Sequence, residues 1–366
     1  MAILRRVGLD PASLEAVAAL VQEAVEKQGV PGAVLLVAHK NETVLHRAWG
    51  FAGLRPEKRP MALDTVFDMA SLTKPVATGS ALALLLEQGR VKLDDPVARY
   101  LPAFGQAAEE RAKVTIRHLA THCAGIPAGG AYSGKRVTLE EIVGDIARSR
   151  RMAAPGEKFI YSDFSAIALG AVIEAVTGQP LDHLCRERVF GPLGMIDTTF
   201  RPGVRLAPRC ASTAAGADTP GSRGRVHDPT AAALEGAGCV SGNAGLFSTA
   251  ADLARFAQCY LNGGQRVFRP ETIALMTRVQ SPVTGSEGER GVLWDIGTAY
   301  AIRGELAPGS YGHTGFTGTS LWIDPKNACS VILLTNAVHA ADTAPKGTVI
   351  RLRRAVSTAV AKALTP

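Results

Sequence analysis

Aromatic residues make up only 5% of the 366-residue chain, and no run of five or more Lys or Arg occurs. The net charge of +7 and isoelectric point near 9.2 are therefore scattered, not gathered into a patch. That excludes the usual footprint of a nucleic-acid binder and fits a mildly basic enzyme. Six cysteines, at 123, 185, 210, 239, 259 and 329, include no C-x-x-C pair. Their spacing suits neither a zinc site nor a disulfide framework, so reduced thiols are expected. No apolar run reaches the length of a membrane span. "MAILRRVGLDPASLEAVAAL" lacks the apolar core and small-residue cleavage site of a signal peptide, so a cytoplasmic location is expected. G-x-S-x-G is missing, and the Gly-rich "GGAYSG" and "GNAGLF" do not follow strands as a phosphate loop does. Neither a metal nor a cofactor is expected.

With 46% hydrophobic residues, the chain has ample material for a core, and more than one compact domain usually holds. Asp10-Pro11 is an N-cap followed by proline at the first helical position, and Leu14, Val17, Val21 and Val25 repeat at helical spacing up to Gly29. "GAVLLVAHKNETVLHRAWG" predicts a hairpin turning at His39-Lys40-Asn41-Glu42, and "SLWIDPKNACSVILLTNAV" another turning at Asp324-Pro325-Lys326-Asn327. Between them the periodicity is mostly helical, as at 71–88, 138–149, 165–176 and 250–261. Residues 201–230 read as a long surface loop of the kind that often covers a site. A final helix carries Val349, Leu352, Val356 and Val360 on one face. The expected architecture is α/β: an antiparallel sheet built from 1–70 and 288–366, flanked by the N- and C-terminal helices. A mostly helical lobe, 71–287, is inserted, with a site in the cleft between the two.

"FDMASLTKPVATGSALALLLEQG" holds Ser71-Leu72-Thr73-Lys74-Pro75. Pro75 belongs in a first helical turn, where its missing N–H costs nothing. A helix starting near Ser71 puts Ser71 and Lys74 on one face, three residues apart. A serine hydroxyl needs an adjacent base to become a nucleophile. A lysine kept neutral by burial is one candidate for that base, and the Ser71 N–H is a candidate oxyanion donor. A lone Ser-x-x-Lys is a weak signal in a chain this long. It has company in Tyr161-Ser162-Asp163, just before a helix, and His313-Thr314-Gly315, just before a strand.

The three motifs in this order resemble the serine β-lactamase and penicillin-binding-protein superfamily, in the branch of class C β-lactamases, family VIII esterases and D-stereospecific peptidases. "GVPGAVLLVAHK", "LDDPVARYLP", "TIRHLATHCAGIP", "VFGPLGMIDT", "NAGLFSTAADLARFAQCYLNGG" and "GHTGFTGTSLWIDP" extend the resemblance over nearly the whole chain. It implies that Ser71 is acylated, with Lys74 and Tyr161 as its proton-transfer partners, either of them the base. It also implies an oxyanion hole from the amides of Ser71 and Phe316, and substrate contacts from Asp163, His313, Thr314 and Gly315. Two positions depart from the family pattern: Asp163 replaces the asparagine of Tyr-x-Asn, and His313 replaces the lysine of Lys-Thr-Gly. Both changes weaken attraction for a substrate carboxylate, and acidification towards pH 6 is expected to restore some charge to His313. The expected activity is hydrolysis of small carboxylic esters through an acyl-enzyme. A β-lactamase or D-amino-acid peptidase, an acyltransferase and a catalytically silent binding protein are the alternatives. The expected partner is a small ester or amide, not nucleic acid or membrane, and the oligomeric state is not legible.

Overall fold

The computed structural model describes residues 9–213, 222–283, 285, 288–298, 303–339, 345 and 347–364. Helix α1 (Pro11–Lys27) starts where Asp10 caps it, its carboxylate accepting the Ser13 N–H at 3.0 Å. Strands β1 (Gly32–His39) and β2 (Glu42–Gly53) form the first hairpin. Its tip needs left-handed backbone at two successive positions, supplied by Lys40 (φ 48°) and Asn41 (φ 68°). Short strands β3 (Arg59–Pro60) and β4 (Phe67–Asp68) lead into the helical region.

There the principal helices are α2 (Ser80–Glu87), α3 (Ile116–Ala120), α4 (Leu139–Arg148), α5 (Asp163–Thr177) and α6 (Ala250–Leu261). Strand β5 (Phe247–Ser248) pairs with β4. Residues 214–221 of the expected loop 201–230 lie outside the described residues; the rest holds one 3₁₀ turn, Ala207–Arg209, and the first residues of a helix, Pro229–Gly236. Strands β6 (Tyr311–Thr314), β7 (Ser320–Asp324) and β8 (Cys329–Thr335) precede the last helix, α7 (Thr348–Leu364).

Six strands form one antiparallel sheet in the order β3-β2-β1-β8-β7-β6, so the two ends of the chain meet at β1 and β8. Both of these strands are buried along their whole length, which is why they read as unbroken apolar runs. Alternation sorts their side chains. Val34, Leu36, Ile332 and Leu334 join the core shared with the helical region. Ala33, Leu35, Val37, Val331 and Leu333 pack with Val17 and Val21 of α1 and Leu352, Val356 and Val360 of α7. Among the described residues no single helix is long and apolar enough to cross a membrane.

Candidate active site

The expected α-helix at Ser71 takes a different form. Ala70–Leu72 is a 3₁₀ turn, Lys74–Gly79 a π segment, and the regular α ladder begins only at Ser80. Ser71 lies in the 3₁₀ turn and Lys74 opens the π segment, and the junction brings their side chains together. Lys74 Nζ lies 3.0 Å from Ser71 Oγ. The residue before the serine, Ala70, is held at φ +46°, a region L side chains enter at a cost. What holds it is Asp68, whose buried carboxylate accepts the Ala70 N–H at 2.8 Å and the His227 N–H at 2.8 Å.

Lys74 is fully buried, with Ser71 Oγ at 3.0 Å, Asp163 Oδ1 at 2.6 Å and the Asn243 carbonyl at 3.1 Å around its Nζ, and Tyr161 also hydrogen-bonds to it. Burial alone pulls the Lys74 amine down, but the Asp163 carboxylate and Tyr161 outweigh it and hold it above the ordinary lysine range. Of the two candidate bases that the sequence leaves open, this setting speaks against a neutral Lys74. The physical reason is the departure already noted in the sequence, an aspartate where the family pattern has asparagine.

The Tyr161 loop approaches from the helical side. The cap of α5 is Ser162, whose hydroxyl accepts the Ser165 N–H at 3.2 Å and donates to the Pro127 carbonyl at 2.5 Å. Asp163 is therefore the first helical residue and is free to reach Lys74. The Tyr161 ring centroid lies 5.0 Å from Lys74 Nζ, 5.5 Å from the Arg290 guanidinium, 4.5 Å from the His122 ring and 6.0 Å from the His313 ring.

The sheet supplies the other wall. His313, on β6, is buried, and its Nδ1 donates to the Thr314 carbonyl at 2.8 Å. Burial, then the nearby Arg290 and Lys74 cations, hold its imidazole well below the ordinary histidine range. This setting favours the neutral imidazole and works against the sequence expectation that acidification towards pH 6 restores charge to His313. Gly315 has no substitute: a Cβ there would lie 2.1 Å from Thr319 Oγ1 and 2.5 Å from the Met69 carbonyl. That close approach lets Thr319 and Thr317 donate to the Met69 and Asp68 carbonyls at 3.0 and 2.8 Å, tying the β6–β7 loop to the serine turn. Phe316 is 77% exposed and stacks on His227 at 5.7 Å.

Between these walls lies a cleft of about 370 Å³ that brings together Ser71, Tyr161, His313, Thr314, Gly315 and Phe316. Asp163 reaches the group through Lys74. Arg353, on α7, also lines the cleft, with Nη2 donating to the Gly315 and Thr319 carbonyls at 2.6 and 2.8 Å. A depression of about 450 Å³ elsewhere is lined by residues such as Thr43, His46 and Arg255 and holds none of these groups. Among the described residues no group of three or more His, Cys, Asp or Glu could hold a metal ion. Asp68, His122, Arg290 and Arg353 escaped the sequence reading. His122 stood inside a quoted family block, but its type and spacing alone say nothing of a site.

A profile of the Beta-lactamase family matches residues 17–355. A protein of Escherichia coli K12 named "Putative D-alanyl-D-alanine carboxypeptidase" is 34% identical over 354 residues, covering 85% of this chain and 79% of that protein. The solved structure of "EstCE1, a hydrolase with promiscuous acyltransferase activity" matches with a TM-score of 0.78 and 27% identity, over 94% of this chain and 98% of that one. A class C β-lactamase from Rhodobacter sphaeroides, 21% identical, shares the fold with a TM-score of 0.71 over 94% of this chain and 99% of that one. An antiparallel sheet closed by both chain ends, a helical region facing it and these matches lead to one assignment: the chain belongs to the Beta-lactamase family and is a hydrolase of the β-lactamase fold.

Proposed function

We propose that the protein hydrolyses small carboxylic esters through an acyl-enzyme on Ser71. The observation that carries this reading is the setting of Lys74, a buried ammonium held between Ser71, Asp163, the Asn243 carbonyl and Tyr161. A protonated Lys74 has no lone pair to take a proton from Ser71, so the hydroxyl proton leaves in another direction. Tyr161, whose ring has both the Lys74 and the Arg290 cations close by, is the group we assign to receive it. Acting as the base, Tyr161 takes the Ser71 proton as Oγ attacks the ester carbonyl. The carbonyl oxygen becomes an oxyanion, which we assign to the N–H groups of Ser71 and Phe316. Tyr161 then returns the proton to the departing alkoxide. Water repeats the cycle on the acyl-enzyme and releases the acid.

The preference for esters rests on the neutral His313 and on Asp163, whose charge is taken up by Lys74. Neither offers a cation to a substrate carboxylate, while Phe316, Val349 and Ile350 give the cleft an apolar lip. A D-amino-acid peptidase is the second reading. Arg353 in the cleft favours it, although that guanidinium already serves two carbonyls, and so does the name of the Escherichia coli relative.

The test offers a short-chain p-nitrophenyl ester, a chromogenic cephalosporin and a D-Ala-D-Ala peptide to the wild type and to Ser71→Ala. The ester is expected to turn over fastest, with an acyl adduct on the peptide carrying Ser71 and no turnover in Ser71→Ala. The ester-to-cephalosporin ratio is expected to stay flat from pH 7 to pH 6. Faster cleavage of the peptide would replace the ester reading with the second, and full activity in Ser71→Ala would overturn both.

A further inference from the structure

We infer that His122 is the positioning residue for Tyr161, holding the tyrosine loop from both sides through its backbone carbonyl and its imidazole Nδ1. The inference rests on the reading of Tyr161 as the proton-transfer group.

The His122 carbonyl accepts the Ile160 N–H at 2.8 Å, and its Nδ1 accepts the Ser162 N–H at 3.1 Å. The two residues flanking Tyr161 thus hang from a single residue. The imidazole ring lies against the Tyr161 ring at 4.5 Å with a 33° tilt, closing the third side. His122 is itself fixed: its N–H reaches the Leu119 carbonyl at the end of α3, and Cys123, next to it, accepts the Gly156 N–H at 2.7 Å.

Two features mark this as a demanding arrangement. His122 sits at φ +59°, in the left-handed region that residues other than Gly enter only occasionally, with Asn, Asp and His the commonest among them. An accepting Nδ1 also requires the neutral imidazole with its proton on Nε2. Burial, with Arg290, Lys74 and His313 around it, keeps it neutral. An imidazolium would present a second N–H to the Ser162 N–H and release the loop.

Asparagine tolerates the left-handed backbone and offers Oδ1 as an acceptor, whereas glycine tolerates the backbone and offers nothing. The experiment therefore compares the steady-state kinetics of His122→Asn, His122→Gly and Tyr161→Phe on the p-nitrophenyl ester, with thermal melts to establish folding. His122→Gly is expected to lose about 100-fold in kcat with KM nearly unchanged, the scale of a misplaced catalytic group. His122→Asn should recover most of that loss, and His122→Gly should add little in the Tyr161→Phe background. A folded His122→Gly with wild-type kcat overturns the inference, as does a His122→Asn no better than His122→Gly. Failure of His122→Asn to fold overturns it too, since that variant meets both the backbone and the acceptor requirement. If Tyr161→Phe keeps wild-type turnover, the proposed function fails instead. If Tyr161→Phe is inactive while His122→Gly is not, only the positioning role is lost.

Discussion

At the scale of single residues, charge decides what each group near Ser71 can do. Asp163 keeps Lys74 protonated, so removing its charge while keeping an acceptor should let burial prevail. Asp163→Asn is expected to move the alkaline limb of kcat/KM to lower pH by roughly 1–3 units, the usual effect of one opposite charge at this distance. A pH profile carried to pH 10 measures it, and an unmoved alkaline limb would count against the role given to the pair. Asp68 carries the opposite kind of shift. Burial, against the His227 and Ala70 N–H groups, pushes its carboxyl up to about 6. The folded chain then binds this proton more tightly than the unfolded chain does. Between about pH 4 and pH 6 the folded state holds more protons, so this group's contribution to stability falls as pH rises, by an amount on the order of 3 kcal/mol in total. Asp68→Asn should remove that slope from a comparison of urea midpoints at pH 4 and pH 6.5, and a variant with the wild-type slope would show that Asp68 is not its source. These effects were half legible in the sequence. Asp163 stood out because it departs from a family pattern. Asp68, three residues before Ser71, did not, because its role depends on a loop more than 150 residues away.

Among the elements, boundaries carry the site. Tyr161 and Asp163 stand on either side of Ser162, the residue that starts α5. Ser162→Ala removes the cap to Ser165 and the bond to Pro127, and is expected to cost about 1 kcal/mol in stability. It should also lower kcat, since the loop and the first helical turn loosen together. Urea unfolding read beside turnover tests this, and a stable but slow variant would assign Ser162 a role beyond capping. In sequence, Ser162 and Asp163 are equally good caps, and only the register of the helical ladder separates them. The irregular start at Ala70–Gly79 was illegible for a similar reason: the Ser-x-x-Lys spacing fits a 3₁₀ turn and an α-turn alike. The hairpins were plain, because a polar turn between two apolar runs has few other readings.

For the whole molecule, an α/β architecture with both chain ends in one antiparallel sheet was visible in the runs "GAVLLVA" and "CSVILL". What was not visible is which distant residues converge on the tyrosine, since Arg290 and His122 acquire meaning only through the closed sheet and the loops packed on it. The same closure has a consequence for how the protein is made. Leu35 of β1 pairs opposite Leu333 of β8, about 300 residues further along the chain. A ribosome adding roughly 5–20 residues per second leaves β1 without that neighbour for about 15–60 s, an apolar strand with an open edge in a crowded cell. Synthesis, more than the finished fold, is then the vulnerable stage. A nascent chain stalled before β8 should engage holding chaperones and stay sensitive to protease, whereas one released past α7 should become resistant.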